Sequence, residues 1–378
     1  MIQRMSSFFR DQPIQLLLIV IPFAILSRAS GQSDVLTFLL SAIAIIPLAS
    51  LIGDATEALS FHTGPRIGGL LNATLGNAAE LIITIVAIRE GLLDLVKASI
   101  TGSILGNILL VMGAAFLLGG FKNGIQVFNH RNMGRYSILL ILAVIALVIP
   151  SVLSSSIGPT TSVKVETLSL GVAVIMILLY AAGLIFGFQA DDAPLSPTGI
   201  AGASDKKKEK AGPRSAEPEP SGQQAWTVRT ALIVLGISTV GVAYMSELLV
   251  ATVEPVVASM GVSEFFLGVI LIPIIGNVAE HLVAVKVAIK NEMDLSVEIA
   301  IASSLQVALF VAPLLVFISL LLGNPLQLIF NEFELLALIA GVIIAAFVAQ
   351  DGESNWLEGA ELLAVYVILA LAFFLLPV

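Results

Sequence analysis

Long apolar runs, separated by short polar turns, make up most of the chain. Eleven runs reach the ~17–25 residues that an α-helix needs to cross a bilayer. The pattern predicts an all-α, polytopic membrane protein with eleven transmembrane helices. The predicted helices lie near residues 13–30, 34–60, 66–89, 94–119, 135–153, 166–188, 227–253, 262–289, 293–322, 332–350 and 355–377.

One long hydrophilic stretch, at residues 189–226, interrupts this pattern. Its prolines, glycines and run of lysines predict a flexible linker. The lysines are Lys206, Lys207, Lys208 and Lys210. At the start of the chain, a charged segment precedes an apolar run with no small-residue cleavage site. We therefore expect a retained first helix rather than a removed signal peptide.

The basic residues indicate the orientation of the helices. With the N-terminus in the cytoplasm, 14 of the 18 Lys and Arg residues fall inside. Four basic residues fall on the outer side of the membrane: Arg28, Arg89, Lys97 and Lys164. This asymmetry predicts a cytoplasmic N-terminus, a cytoplasmic linker and a C-terminus outside. The short segment before the first helix favours a prokaryotic cell membrane.

Composition supports the membrane assignment and narrows the chemistry. Hydrophobic residues make up 57% of the 378 residues and charged residues only 12%, with a mean hydropathy of +1.02. There is no cysteine, and the three histidines are scattered, so thiolate and imidazole metal sites are disfavoured. A hard cation held by oxygen atoms fits this residue set.

Two segments of the chain repeat each other at an offset of 200 residues. Gly76-Asn77-Ala78-Ala79-Glu80 matches Gly276-Asn277-Val278-Ala279-Glu280, and Ser103 matches Ser303. Each repeat holds five predicted helices, an odd number, so the two must cross the bilayer in opposite directions. We therefore divide the chain into an N-terminal segment with the first helix (1–33), repeat 1 (34–188), the linker (189–226) and repeat 2 (227–378).

Glu80 and Glu280 lie deep inside the third and eighth predicted helices. A charged side chain at that depth costs about 2.5–3.5 kcal/mol or more, so such carboxylates usually mark ion or proton paths. Two carboxylates balance the charge of one divalent ion. Without the ion they repel each other in a dry pocket, which favours protonation. Ca2+ and H+ would then compete for one site, as exchange requires.

Neutral oxygen atoms near the two carboxylates can complete the coordination of Ca2+, which takes six to eight oxygen ligands. Glycines that loosen the helices would free backbone carbonyls for the same purpose. These further candidate ligands are Asn77, Asn277, Gly76, Gly276, Ser103, Ser303, Ser304, Gln306 and Asn107. A proton beyond two per ion would need another carboxylate, for which Glu57 and Glu247 are the candidates.

The same residues are also compatible with structural roles. Glu80 and Glu280 could be interhelical hydrogen-bonding groups, and Glu57 and Glu247 are equally compatible with a structural role. Asn107, Ser304 and Gln306 could simply join helices. Asp94 and Asp294 are expected to be N-caps of the helices that follow them. His281 points to a different face from Glu280, so packing or a modulating hydrogen bond is expected rather than ligation.

Three stretches closely resemble the Ca2+/H+ exchangers of the cation/Ca2+ exchanger superfamily. They are GNAAELIITIVAIREG followed by SITGSILGN, GNVAEHLVAVKVAIKNEMDLS followed by SSLQVALFVAPLLVF, and the C-terminal DGESNWLEGAELLAVYVILALAFF. The resemblance implies eleven helices, alternating access and Ca2+ extrusion driven by inward proton flow. It assigns Glu80 and Glu280 to the shared Ca2+ and H+ site. The residues around these glutamates differ from the Thr, Ser and Pro of Na+/Ca2+ exchangers, which favours protons.

The sequence thus predicts a secondary active Ca2+/H+ antiporter that is not an enzyme. Its expected partners are Ca2+, H+ and the lipid bilayer, with no cofactor and no nucleic acid; in any homo-oligomer each protomer would be complete. The alternatives are a Na+/Ca2+ exchanger of the same architecture and a passive cation channel. The lysine run next to the acidic residues of the linker argues against Ca2+ regulation through this segment.

Overall fold

The computed structural model describes residues 13–159, 162–189 and 226–376, so nearly all of the predicted linker lies outside the described residues. The all-α membrane fold is confirmed. The helices are α1 (Pro13–Ala29), α2 (Asp34–Thr63), α3 (Pro65–Leu75), α4 (Ala78–Arg89), α5 (Leu93–Asn123), α6 (His130–Ile157), α7 (Val163–Gln189), α8 (Val228–Val250), α9 (Val253–Met260), α10 (Glu264–Ile289), α11 (Met293–Leu322), α12 (Glu332–Val348) and α13 (Trp356–Phe374). Two short strands, β1 (Gln126–Val127) and β2 (Glu353–Ser354), pair antiparallel.

Each predicted helix coincides with a helical segment. Among the described residues, eight helices are long and apolar enough to span a membrane, so the count of eleven spans stays a prediction. Burial differs between the helices. Side chains of α5 and α11 are mostly buried in protein, whereas those of α7 and α13 mostly face outward. The interior of the bundle is therefore built on α5 and α11, and lipid would cover the outer helices.

The third predicted helix is broken in two, and its repeat partner is not. α3 ends at Leu75 and α4 begins at Ala78, so the break falls on Gly76 and Asn77. In contrast, α10 continues through Gly276 and loosens earlier, in a π-helical turn at Leu267–Leu271 just before Pro273. The expectation that both glycines loosen their helices holds at Gly76 and is wrong at Gly276.

The expected N-caps at Asp94 and Asp294 are also wrong. The N-caps of α5 and α11 are Leu92 and Glu292, and neither side chain caps its helix. Asp94 instead forms an ion pair with Lys97 at 2.6 Å. Asp294 accepts a hydrogen bond from the backbone N–H of Asn129 at 2.6 Å. Both carboxylates still lie in a first helical turn, where the helix dipole favours negative charge.

The two halves cap each other's helices. After α5, Asn123 donates through Nδ2 to the carbonyls of Ala288 and Ile289 at the end of α10, both at 3.2 Å. After α11, Asn324 donates to the carbonyls of Ile88 and Arg89 at the end of α4, at 2.9 and 3.3 Å. Such carbonyls have no partner within their own helix. This matched pair of caps agrees with an inverted repeat.

Replacing Asn324 by alanine is expected to lower the stability of the protein by about 1–3 kcal/mol, since two hydrogen bonds worth roughly 0.5–1.5 kcal/mol each are lost. The loss would appear as a lower midpoint of thermal unfolding in detergent. Asn123→Ala removes the equivalent cap in the other half and should produce a similar shift. An unchanged midpoint in both variants would show that the caps contribute nothing.

Candidate functional site

Four helices bring the predicted residues together in the interior of the bundle. Glu80 is the third residue of α4, directly after the break, and its side chain is 1% exposed. Glu280 lies in the middle of α10 and is partly exposed. Because α5 and α11 pack between these helices, they supply the hydroxyl and amide groups that surround both carboxylates.

Glu80 is held by residues from both halves. The hydroxyl of Ser103 on α5 donates to Oε1 of Glu80. Nδ2 of Asn277, on α10, donates in turn to Oγ of Ser103 at 3.4 Å. The hydroxyl of Ser103 is thereby oriented with its hydrogen toward the carboxylate.

Glu280 is held in the same way by the repeat-related serine. Ser303 on α11 donates to Oε2 of Glu280 at 2.9 Å. Asn107, on α5, donates through Nδ2 to Oγ of Ser303 at 3.0 Å, and its Oδ1 lies 3.2 Å from Nε2 of His281. The expected modulating hydrogen bond of His281 is therefore present, made to Asn107 rather than to Glu280.

Three buried oxygen atoms at the site accept no hydrogen bond from any of the described residues. They are Oε2 of Glu80, Oδ1 of Asn77 and Oδ1 of Asn277. Asn77 is fixed on its other side, because its Nδ2 donates to Oε1 of Gln306 at 2.8 Å. Buried polar atoms are rarely left without a partner. Three such oxygens beside a second carboxylate are the environment that a hard cation requires.

Gly76 contributes space at the site. A Cβ built on Gly76 would lie 3.0 Å from Oε1 of Glu280, so a larger residue would push against this carboxylate. Gly276 has more room, since its nearest neighbour is the backbone of Glu80 at 3.7 Å. The helix break and the position of Glu280 thus depend on the same glycine.

The structure separates the remaining candidate ligands by their contacts. Ser103 and Ser303 are hydrogen-bonded to the carboxylates, Gln306 to Asn77, and Asn107 to Ser303. Ser304 lies apart, with its hydroxyl on the carbonyls of Ala300 and Ile104 at 3.1 and 3.4 Å. In the described part of the chain, no cluster of three or more His, Cys, Asp or Glu side chains could hold a metal. A cation here would therefore rely on neutral oxygens as well as on two carboxylates.

The two proton-relay candidates lie away from this centre. Glu57 on α2 and Glu247 on α8 are both exposed. Glu247 forms an ion pair with Arg89 at 3.1 Å, at the end of α4. No hydrogen bond between described residues connects either of them to Glu80 or Glu280. The structure brings the site residues together without these two.

The site is closed by tight helix packing on one side. On the side predicted to face outward, α10 packs tightly on α5: a Cβ on Gly268 would lie 2.5 Å from Cβ of Ala98, and one on Gly102 would overlap the carbonyl of Val269. On the opposite side, α3 packs chiefly against α2. Partial exposure of Glu280 fits access from that inner side.

Sequence reasoning missed two features of the site. π-helical turns lie at the site residues of α5 and α11: Gly106–Val111 contains Asn107, and Val307–Val311 directly follows Gln306. Such turns often occur at functional sites. The tight seal at Gly102 was also missed, although a glycine inside a buried helix is a signal of close packing.

Comparisons with known proteins agree with this architecture. The sodium/calcium exchanger protein family matches residues 33–189 and 230–375. A Ca2+/H+ antiporter of Aphanothece halophytica is 44% identical over 96% of each chain. The Ca2+/H+ antiporter ChaA of Bacillus subtilis is 44% identical over 94% of this chain and 97% of its own. The solved structure of native YfkE superposes with a TM-score of 0.80 at 42% identity, covering 96% of this chain and all of that one.

Proposed function

This chain belongs to the sodium/calcium exchanger protein family, and on that premise we propose that it is a Ca2+/H+ antiporter whose cation and protons share Glu80 and Glu280. The observation that carries the proposal is the group of three buried oxygens without hydrogen-bond partners next to the two carboxylates. Together with the two carboxylates, they supply the kind of oxygen ligands that a hard cation requires. Water reaching the partly exposed Glu280 would complete the six to eight oxygens of a Ca2+ shell.

Within this site the residues divide into two roles. Glu80, Glu280, Asn77 and Asn277 hold the cation. A second group of residues orients these ligands by hydrogen bonds, so that the oxygens without hydrogen-bond partners face the cation. This group consists of Ser103, Ser303, Asn107 and Gln306. Gly76 supplies the helix break rather than a side-chain ligand, while Gly276 and Ser304 have no contact that favours ligation.

Transport follows from competition at this site. Cytoplasmic Ca2+ binds the two deprotonated carboxylates from the open inner side. α2 and α8, which pack extensively against each other, then slide or tilt, and α3 closes toward α11. When the outer side opens, protons bind the carboxylates and displace the ion. Because both ligands occupy the same oxygens, Ca2+ and H+ cross in opposite directions.

Protons are favoured over Na+ as the driving ion. The glutamates are preceded by Asn-Ala-Ala and Asn-Val-Ala, without the hydroxyl groups that Na+/Ca2+ exchangers carry there. The relatives at 44% identity are Ca2+/H+ antiporters. Two carboxylates bind two protons per Ca2+, and a third proton needs a further group, for which Glu57 and Glu247 remain candidates.

The protein is an integral, multi-pass membrane protein. We place it in a prokaryotic cell membrane with the N-terminus in the cytoplasm and the C-terminus outside. Since all of the site residues come from one chain, each protomer of a homo-oligomer would transport by itself.

The decisive experiment measures 45Ca2+ uptake into everted vesicles that hold the protein. An imposed pH gradient, acidic inside, is expected to drive uptake, and collapsing it with a protonophore should stop it. Uptake driven by a Na+ gradient and indifferent to the pH gradient would select the Na+/Ca2+ exchanger instead. Unitary currents in planar bilayers would identify a passive channel.

A further inference from the structure

A third carboxylate lies inside the bundle, on the outer side of the site. Glu334 is the third residue of α12, and it is 2% exposed. Its Oε2 accepts a hydrogen bond from the backbone N–H of Asn331 at 2.7 Å, as part of a capping box. A capping box uses only one carboxylate oxygen and is served equally well by glutamine. Helix capping therefore explains a polar side chain at this position but not an acid.

The second oxygen of Glu334 faces the helix that carries Ser103. The hydroxyl of Thr101 on α5, which is fully buried, lies 3.5 Å from Oε1 of Glu334 and is oriented to donate to it. Thr101 and Ser103 are two residues apart, which is about 3 Å along the helix axis but roughly 200° around it, so a proton passing between them must travel around α5 through other groups or water. Since Ser103 donates to Glu80, Glu334 reaches the site helix at nearly the depth of the site.

Glu334 also has a connection to the outer surface. The charged groups that act on it are Lys97 and Asp94, both on α5. α6 and α13, which also pack against α12, contribute no such group among the described residues. Asp94 is 83% exposed and pairs with Lys97 at 2.6 Å. Glu334 therefore lies within electrostatic range of an exposed charged pair near the outer end of α5.

Three buried hydroxyls lie on α5 near Glu334 and Glu80, with no hydrogen bond between them among the described residues. Besides Thr101 and Ser103, α5 carries Ser99, whose Oγ is buried and has no hydrogen-bond partner within the described segments. The tight contact between α5 and α10 blocks a hydrated cation on this side. Hydroxyls and single water molecules can still pass a proton, which needs only a chain of hydrogen bonds.

The same kind of pair occurs at the repeat-related interface on the inner side. There the hydroxyl of Tyr136 on α6 donates to Oε1 of Glu298 on α11 at 2.8 Å. Both interfaces join a helix of one half to the site helix of the other. A carboxylate bonded to a hydroxyl thus occurs at both interfaces, and carboxylates inside membrane segments usually mark ion or proton paths.

We propose that Glu334 is the third proton-carrying carboxylate of the exchange, relaying protons between the outer surface and Glu80 along α5. The proposal rests on the Ca2+/H+ antiport proposed above. In each relay step, a proton from outside water bonds to the carboxylate of Glu334, and that carboxylic acid then releases it, through hydroxyls or water, to the carboxylate of Glu80. Glu334 returns to its charged form, so no atom or charge is left over.

The test compares two reactions of Glu334→Gln in proteoliposomes. Glutamine keeps the capping box and the acceptor for Thr101 but cannot carry a proton. We expect the rate of uptake driven by a pH gradient to fall at least tenfold. Exchange of 45Ca2+ for unlabelled Ca2+, which needs no proton, should stay at the wild-type rate with an unchanged KM for Ca2+.

Glu332→Gln is the matched control, since Glu332 is exposed in the same helical turn and should leave both reactions unchanged. Thr101→Val should slow only the proton-driven reaction, and Thr101→Ser should restore it. A wild-type rate of proton-driven uptake in Glu334→Gln would overturn the proposal, and so would an equal loss in both reactions, which indicates a structural role. Failure of the proposed function would appear differently, as Ca2+ exchange without proton-driven uptake in the wild-type protein itself.

Discussion

Replacing Glu280 by glutamine is expected to abolish proton-driven Ca2+ uptake. The substitution keeps the size of the side chain and an acceptor for Ser303, but it removes one of the two negative charges that balance the ion. Breaking a buried charge pair by removing one partner costs about 3–5 kcal/mol. That free energy corresponds to a loss of affinity of roughly 10²–10³-fold. The same variant cannot hold a proton at this position, so both transported ions are lost together.

Uptake of 45Ca2+ under an imposed pH gradient measures this effect directly, with Ca2+ exchange as a second reaction. Both should disappear in Glu280→Gln and in Glu80→Gln. Glu292→Gln provides the control, because Glu292 is exposed at the start of α11. Near-normal uptake by either site variant, at a protein level equal to the wild type, would refute the assignment of the two carboxylates.

Gly102→Ala is expected to force open the sealed outer side. A Cβ at this position would overlap the carbonyl oxygen of Val269 and lie 2.6 Å from Cγ of Pro273, so α10 must move away from α5. Overpacking of a core typically costs about 1–3 kcal/mol, and here the obstacle is backbone that cannot rotate away. The conformation closed to the outside becomes less populated, and the exchange rate should drop at least tenfold.

The absence of cysteine from the chain makes this change measurable. A cysteine introduced at Ala98, which is fully buried against Gly268, should react with a membrane-impermeant thiol reagent from outside only when Gly102→Ala is also present. Gly106→Ala is the matched control, one turn along the same helix, since no atom lies within 4 Å of its Cβ. Equal labelling with and without Gly102→Ala would contradict the role of this contact.

The sequence was sufficient to predict the fold class and to select candidate residues that the structure brings together, because membrane depth makes each polar residue conspicuous. Glu80, Glu280 and their serines stand out by the repeat alone. Their roles were harder to predict. Asn107 and Asn277 carry the same amide, yet Asn107 uses both of its polar atoms in hydrogen bonds while Asn277 keeps one oxygen free. Such differences depend on partners from distant helices, which spacing along the chain does not define.

The asymmetry between the halves could not be predicted either. The two Gly-Asn motifs are nearly identical, but the helix breaks at Gly76 and continues through Gly276. In an inverted repeat, two halves of similar sequence must pack differently. The reason is that access to the site is closed from one side of the membrane while it is open from the other. Glu334 escaped notice for another reason: a glutamate in the first turn of a helix is common on protein surfaces, and only its burial by α5 distinguishes it.

The crossed asparagine caps have a consequence for the biosynthesis of this protein. The carbonyls at the end of α4 are capped by Asn324, which leaves the ribosome more than two hundred residues later. Until then, the helix that carries Glu80 has an unfinished end inside the translocation machinery. Larger proteins commonly fold unit by unit as they are made. Here one cap of α4 and the second carboxylate of the site, Glu280, both come from the second half, so the cation site can form only after much of that half has been made.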